Sequence, residues 1–344
     1  MATSPDTNAT ARRAVVDLVF GSMASQVVAA YVKLGIPNVI GGQDLSADDV
    51  AAACGTQARA TRRLLRAATA LGLLSEDDGR FSATPAGALL RSDVPGSVDA
   101  LARVFTDPVM LRSWHRLDDS VRTGRTAFDE VFGTAFFDHL ASEPDLSAAF
   151  NTAMSQGTHT VAGLLPDAYD FGRFGSVVDV GGGDGTLLAA ILRRHTGLRG
   201  VLLDTAEGSG GAGVVLQDAG VSQRCTVAVG DFFTDVPAGS DAVLLKSILH
   251  DWDDERATTI LGHCRRALPD DGCLLVVEPV LPDTADGTVP PLMYLSDLNM
   301  MVNLGGQERT RAEFATVLHD SGFTLTGVTP LPPSGFRLLE ALPR

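Results

Sequence analysis

The chain has 344 residues, 45% of them hydrophobic, and a formal net charge of −15, so it can bury a large core in two domains but lacks a nucleic acid partner's basic footprint. No run of about 18 apolar residues is present to span a membrane. The polar start Met1-Ala-Thr-Ser-Pro-Asp6 has neither the charged nor the apolar region of an export signal, so a cytoplasmic protein is expected.

In chain order, residues 12 to 35 read as one strongly apolar amphipathic helix (Val15, Val16, Leu18, Val19, Phe20, Val27, Val28, Tyr31, Leu34), stopped at Gly35-Ile36-Pro37. Ser46 caps a second helical stretch. Another helix is predicted from about Ala58 to Leu74, and Asp77-Asp78-Gly79 then turns into Arg80-Phe-Ser-Ala-Thr84. Helix, helix and hairpin make a winged-helix pattern. A small-molecule-sensing DNA regulator is therefore a remote alternative, despite Arg59, Arg62, Arg63 and Arg66, because the whole chain is acidic. The apolar first helix points instead to a subunit interface, hence a homodimer with a large hydrophobic contact. The division falls near residue 100, giving domains 1–100 and 101–344.

Residues 101–165 are predicted helical and carry Trp114, Phe128, Phe132, Phe136, Phe137, Phe150 and Met154, either as core or as a lid over an aromatic substrate. Val177-Val-Asp-Val-Gly-Gly-Gly-Asp-Gly-Thr186 follows, a buried strand running into a glycine turn and a helix from Leu187 to Arg194. Its glycines let a ligand approach the backbone, and the helix start offers unpaired amides to anionic groups. Thr186 stands where the dinucleotide fingerprint needs its third glycine, so strict GxGxxG fails. A dinucleotide and an adenosyl ligand both fit the rest. Arg199-Gly-Val-Leu-Leu-Asp204 ends in a carboxylate placed for ribose hydroxyls. Cys225-Thr-Val-Ala-Val-Gly230 ends at Asp231-Phe232-Phe233, a carboxylate for an adenine amine and a ring to cover its face. Each aspartate could alternatively be a plain helix cap.

Strand–helix alternation continues through 241–247, a helix over 253–268 stopped by Pro269, and a strand from Gly272 to Glu278. The last two strands, Phe323 to Thr329 and Gly335 to Leu342, are too close in sequence to be parallel neighbours. The expected fold is a Rossmann-like α/β sheet finished by an antiparallel hairpin, behind an N-terminal helical winged-helix-like domain. Lys246, Ser247 and His250 fall just beyond one strand end and Glu278 ends the next. Adjacent strands are about 4.8 Å apart, so this carboxylate can orient that imidazole. A helix-start residue beside Asp251 and Asp253 is the plain alternative for His250. Cys54, Cys225, Cys264 and Cys273 show no CxxC spacing and read as small core residues. No metal-type carboxylate cluster is visible in the spacing.

Val-Asp-Val-Gly-Gly-Gly-Asp-Gly, Gly-Asp-Phe-Phe at 230, Leu-Lys at 245, Leu-His-Asp-Trp at 249, Val-Glu-Pro at 277 and Gly-Gly-Gln-Glu-Arg-Thr at 305, taken in order, resemble the S-adenosylmethionine-dependent O-methyltransferases. That family includes plant caffeate-type enzymes and bacterial tailoring enzymes of aromatic polyketides. The resemblance covers essentially the whole chain and implies a class I methyltransferase sheet with a dimerisation domain, acting as a homodimer on a small aromatic acceptor, with no nucleic acid, membrane or metal. By it, Gly181, Gly183, Asp204, Thr205, Asp231, Phe232, Lys246 and Ser247 would bind S-adenosylmethionine and its product S-adenosylhomocysteine, with Trp252 near the adenine. Gly157 stands where plant relatives often carry a histidine, which leaves Thr158 to contact the methionine carboxylate. His250 would be the general base, flanked by Glu278 and Glu308. Phe150, Met154, Met300 and Asn303 would contact the acceptor. The family usually places Leu-Pro after the ribose aspartate, whereas Thr205-Ala206 here leads into Glu207-Gly-Ser-Gly-Gly-Ala-Gly213, a poor helix sequence. Relatives recruited to hydroxylation or decarboxylation, and N- or C-methylation, are the alternative chemistries.

Overall fold

The computed structural model describes residues 5–344, so the first four residues of the polar start lie outside the described residues. It divides into two compact units, the first ending at Leu111 and the second comprising Arg112–Arg344.

In the first unit the expected single helix is two, Pro5–Val19 and Gly21–Lys33, bent by 43°. Gly21 sits at the break, where a residue without a Cβ holds helical backbone poorly. No single helix among the described residues is long and apolar enough to cross a membrane. Gly35, at φ 70, stops the second helix, and Ile36–Ile40 adds one more short turn. Ser46 caps Ala47–Cys54 in a reciprocal capping box with Asp49. The next helix, Ala58–Ala70, ends earlier than its sequence pattern because Gly72, at φ 78, releases the chain into a strand. Strands β1 (Leu45–Ser46), β2 (Leu74–Asp77) and β3 (Arg80–Ala83) pair in the order β1-β3-β2. Asp78 and Gly79, both at positive φ, make the two-residue turn of the β2–β3 hairpin. Tyr31, Ile36, Ile40, Val50, Leu65 and Phe81 form the core of this unit. Val15, Leu18, Phe20 and Met23 are all more than half exposed on its first two helices.

The second unit opens with helices that include Ala127–Phe132, Phe136–Ser142 and the long Pro144–Ala168. Its strands are β4 (Ser176–Val180), β5 (Arg199–Asp204), β6 (Cys225–Val229), β7 (Ala242–Lys246), β8 (Cys273–Leu281), β9 (Arg309–Thr310), β10 (Phe323–Pro330) and β11 (Phe336–Pro343). They line up as β10-β11-β8-β7-β4-β5-β6, with β9 beside the end of β8. The strands β4 to β8 run parallel, and β11 is antiparallel to both β8 and β10, the expected hairpin finish. Val177, Val178, Leu244, Leu245, Leu274 and Leu275 are fully buried, because a parallel sheet is covered on both faces. Strand order reverses at β4, so the ends of β4, β5 and β7 open on the crevice where such sheets bind ligands. The glycine-rich segment after β5 is not loose. Gly208–Gly211 forms a 3₁₀ turn leading directly into the helix Ala212–Asp218, whose Ala212 and Leu216 are buried in the core. Packing overrides its poor propensity.

Candidate active site

At the end of β4 the chain turns through Gly181, Gly183 and Gly185, all at positive φ. A Cβ on Gly182 would lie 2.2 Å from Leu202 Cδ1 and 2.7 Å from Asp179 Oδ2, and one on Gly181 would lie 2.3 Å from Ile248 Cδ1, whereas Gly183 borders open space. Asp204, at the end of β5, closes this cradle. Its Oδ2 accepts from Gly183 N at 2.7 Å and its Oδ1 from Thr205 N at 2.7 Å. Burial raises the Asp204 carboxyl, and these two amides oppose the rise. Asp179, one strand residue inside, is buried with an unpartnered Oδ2, and burial followed by the Asp204 charge pushes it up to about 7.

The helix Pro144–Ala168 brings Thr158 and Ser155 to the same place. Thr158 Oγ1 donates to Met154 O and accepts from Lys246 Nζ at 3.1 Å, while Ser155 Oγ donates to Asp184 Oδ2 at 2.6 Å. Burial holds Lys246 below its ordinary range. Asp231 Oδ1 accepts from Phe233 N at 2.8 Å, so the aspartate does cap its turn, and it thereby sets the two phenylalanines against Trp252. The Phe233 and Trp252 rings cross edge-on at 4.7 Å, and Phe137 lies 5.5 Å from Trp252. Phe150 lies 6.3 Å from Phe137, which joins it to the aromatic cluster around Trp252. The Trp252 indole N–H is buried without a partner among the described residues. An adenosyl ligand fits this ground: it needs the open backbone at Gly183 and carboxylates at successive strand ends. The unpartnered Asp179 and Trp252 groups beside this cradle are buried polar atoms of the kind a polar ligand would satisfy.

Ser247, just after β7, adopts φ 54, an uncommon left-handed conformation for a residue with a side chain. The chain then makes the 3₁₀ turn Leu249–Asp251, which carries His250. Glu278 Oε1, fully buried on β8, accepts from both Ile248 N and Leu249 N at 2.9 Å and so builds that turn, while its Oε2 lies 3.8 Å from His250 Nδ1. Glu308 Oε1 is 3.1 Å from the same Nδ1 and also accepts from Ser296 Oγ at 2.8 Å. Asp251 Oδ1 is 3.5 Å from His250 Nε2. Burial alone would lower the imidazole, but Glu278, Asp251 and Glu308 outweigh it and raise it to about 10. Asp251 is itself pushed up to about 7, mainly by burial.

His250, Glu278 and Glu308 thus meet, although 58 residues separate the first from the last. Their ligand atoms all lie within 4.8 Å of one another, spacing that would also suit a metal ion. This corrects the expectation that no such cluster exists: its members sit on a 3₁₀ turn, a strand and a loop far apart in the chain, so linear spacing hides it.

The sequence reading missed Asp251, Ser155, Asp184 and Arg309. Arg309 is fully buried and donates to Leu249 O at 2.7 Å, Trp252 O at 2.9 Å and Asp254 Oδ1 at 2.8 Å, pinning both ends of the His250 turn. Gly306 lies so close beneath that turn that a Cβ would sit 2.1 Å from His250 O. Gln307 N donates to the same carbonyl at 2.9 Å. An arginine directly after the candidate glutamate was the available signal. Asn303 is fully buried and Met300 nearly so, both on a π-helical turn, Met300–Leu304, that packs against the His250 turn.

The family model described as an O-methyltransferase domain matches residues 114–324, and one described as an O-methyltransferase dimerisation domain matches residues 16–93. The chain belongs to the O-methyltransferase family. It is an S-adenosylmethionine-dependent O-methyltransferase with the class I sheet. It is 46% identical over 337 residues to the O-demethylpuromycin-O-methyltransferase of Streptomyces alboniger, covering 97% of this chain and 89% of that protein. The solved structure of the mitomycin 7-O-methyltransferase MmcR matches it with a TM-score of 0.92 at 33% identity, over 99% of this chain and 100% of that one. The neocarzinostatin-pathway O-methyltransferase NcsB1, solved with S-adenosylmethionine and 2-hydroxy-5-methyl naphthoic acid, matches with a TM-score of 0.79 at 33% identity, over 93% and 96% of the two chains. This O-methyltransferase is also 36% identical, over 91% of its length and 85% of the other protein's, to the aclacinomycin 10-hydroxylase RdmB of Streptomyces purpurascens.

Proposed function

We propose that this O-methyltransferase methylates a hydroxyl of a small aromatic secondary metabolite with the assistance of His250, as a homodimer and without a metal ion. The observation that carries this reading is the His250 imidazole with Glu278 and Glu308 both at its Nδ1, on the turn that follows β7, the strand beside β4 with its glycine cradle closed by Asp204. Asp204 and Asp231 would hold the ribose and adenine, and Lys246 with Thr158 the methionine carboxylate. When bound, S-adenosylmethionine supplies an electrophilic methyl on a sulfonium. Phe150, Met154, Met300 and Asn303 would orient the acceptor. Relatives named for aromatic substrates support that acceptor class.

With an ordinary imidazole, taking a phenol's proton is uphill by about 3.5 pKa units, or roughly 5 kcal/mol. Raising His250 to about 10 matches it to the phenol, so transfer between them costs little. The cost moves elsewhere: at pH 7 the imidazole is emptied of its own proton only about once in a thousand. Only the neutral fraction of His250 takes the hydroxyl proton, on its Nε2 side, and the imidazolium that forms, held by Glu308 and Glu278, then partners the phenolate whose oxygen takes the methyl group. Turnover on weakly acidic phenols should climb with pH across the neutral range.

Mass spectrometry of the purified protein with S-adenosylmethionine and a panel of aromatic hydroxy compounds tests the reading. A gain of one methyl group on oxygen, unchanged by EDTA, is the expected result. Oxygen incorporation or loss of carbon dioxide in place of methylation would move the chain to the hydroxylase-like branch, and inhibition by EDTA would overturn the metal-free mechanism.

A further inference from the structure

A chain of side-chain hydrogen bonds runs into the π-helical turn. The Trp114 indole N–H donates to Asn299 Oδ1 at 3.0 Å, and Asn303 Nδ2 donates to that same oxygen at 2.9 Å. Asn303 is fully buried, and its own Oδ1 has no partner among the described residues. A primary amide has a donor end and an acceptor end of nearly the same shape, so its orientation is set by whatever it faces. An indole N–H can only donate. Trp114 therefore fixes the oxygen of Asn299 toward itself, that oxygen can take only the NH₂ end of Asn303, and the Asn303 carbonyl is left as a buried acceptor. Every buried acceptor of this kind calls for a donor.

We propose that Trp114 and Asn299 are positioning residues that lock Asn303 with its carbonyl oxygen toward the acceptor. The protein then selects aromatics bearing a second hydrogen-bond donor, a hydroxyl or amine near the methylated hydroxyl, over those bearing an ether there. This rests on the reading that the acceptor binds between His250 and the π-helical turn. An ether leaves the Asn303 carbonyl unsatisfied and sets two acceptors face to face. The expected discrimination in kcat/KM is about five- to hundredfold.

The test uses 1,3- and 2,3-dihydroxynaphthalene and their monomethyl ethers as acceptors, with S-adenosylhomocysteine binding measured beside turnover. The intact protein should favour the diols. Trp114→Phe should free the Asn299 amide to turn over and cut the diol-to-ether ratio at least fivefold. Adding Asn299→Asp to Trp114→Phe should restore the ratio, since a carboxylate can only accept and re-imposes the orientation that the indole had set. Asn299→Leu, which removes the relay without touching Trp114, should reproduce the loss and stands in if Trp114→Phe does not fold. Diol and ether rates that fall together in Trp114→Phe, or a ratio that Asn299→Asp does not restore, would show a merely structural tryptophan and overturn the proposal. An intact protein that binds S-adenosylhomocysteine but methylates neither class would overturn the acceptor reading itself, and this inference with it.

Discussion

Glu308→Gln keeps the shape of the side chain that meets His250 Nδ1 at 3.1 Å and Ser296 Oγ at 2.8 Å, keeps an acceptor oxygen there, and removes the charge. A hydrogen bond to a charged group is worth about 1.5–3 kcal/mol, and one pKa unit is about 1.4 kcal/mol, so the loss amounts to roughly one to two units. His250, raised to about 10 by burial-resisting carboxylates, should therefore fall to the region of 8 to 9. The chain has 7 histidines, few enough to follow each Cε1 resonance by NMR against pH, with His250→Gln supplying the assignment. In the intact protein the His250 signal should stay at its protonated position through pH 8, and in Glu308→Gln it should move within the accessible range. A second readout follows from linkage. A folded-state imidazole pKa above the unfolded value stabilises fully below about pH 6.5 and loses that contribution as pH rises toward about 10. The melting temperature of the intact protein should thus decline across this window, and in Glu308→Gln the decline should end one to two pH units earlier. A His250 signal that titrates near 6.5 in the intact protein, and is unmoved by Glu308→Gln, would refute the reasoning.

His250→Ala should lower turnover on a weakly acidic phenol by roughly 10² to 10⁴ while calorimetry finds S-adenosylhomocysteine affinity nearly unchanged, and a variant working at the original rate would remove His250 from the chemistry. Asp204→Ala should weaken S-adenosylhomocysteine binding at least tenfold, with one charged hydrogen bond lost at about 1.5 to 3 kcal/mol; an unchanged calorimetric Kd would sink the cradle assignment. Arg309→Lys keeps the charge but loses the fork that reaches Leu249 O, Trp252 O and Asp254. It should lose about 3 kcal/mol, melt roughly 6–12 °C lower by calorimetry, and turn over more slowly at saturating cofactor. Light scattering should find twice the chain mass at micromolar concentration, since Leu18 and Met23 are 80% and 62% exposed in the single chain; a monomer mass would refute that.

Much of the fold is legible in sequence because its signals are local. The capping box at Ser46, the Asp78-Gly79 turn, the glycines after Val180 and the alternation of apolar strands with helices each act over a few residues. Where a local signal was weak, packing decided. The glycine-rich segment after Asp204 runs through a 3₁₀ turn into a helix because Ala212 and Leu216 are buried against the sheet.

By itself, the sequence determined the sheet, its hairpin finish, the N-terminal helical unit, and that Gly183, Asp204, Lys246 and His250 lie at or just beyond strand ends, since hydrophobic period and turn chemistry depend only on near neighbours; it placed the end of β8 at Glu278, whereas the strand runs on to Leu281 because pairing with β9 continues it. Tertiary structure alone decided which charges share a space. It brought Glu308 to within 3.1 Å of His250, set Arg309 beneath the turn that carries the imidazole, and aligned Trp114 with Asn299 and Asn303. The protonation of His250 could not be read from sequence for the same reason. A pKa sums desolvation and every nearby charge, and those terms exist only once segments far apart in the chain have been folded into one low-dielectric site.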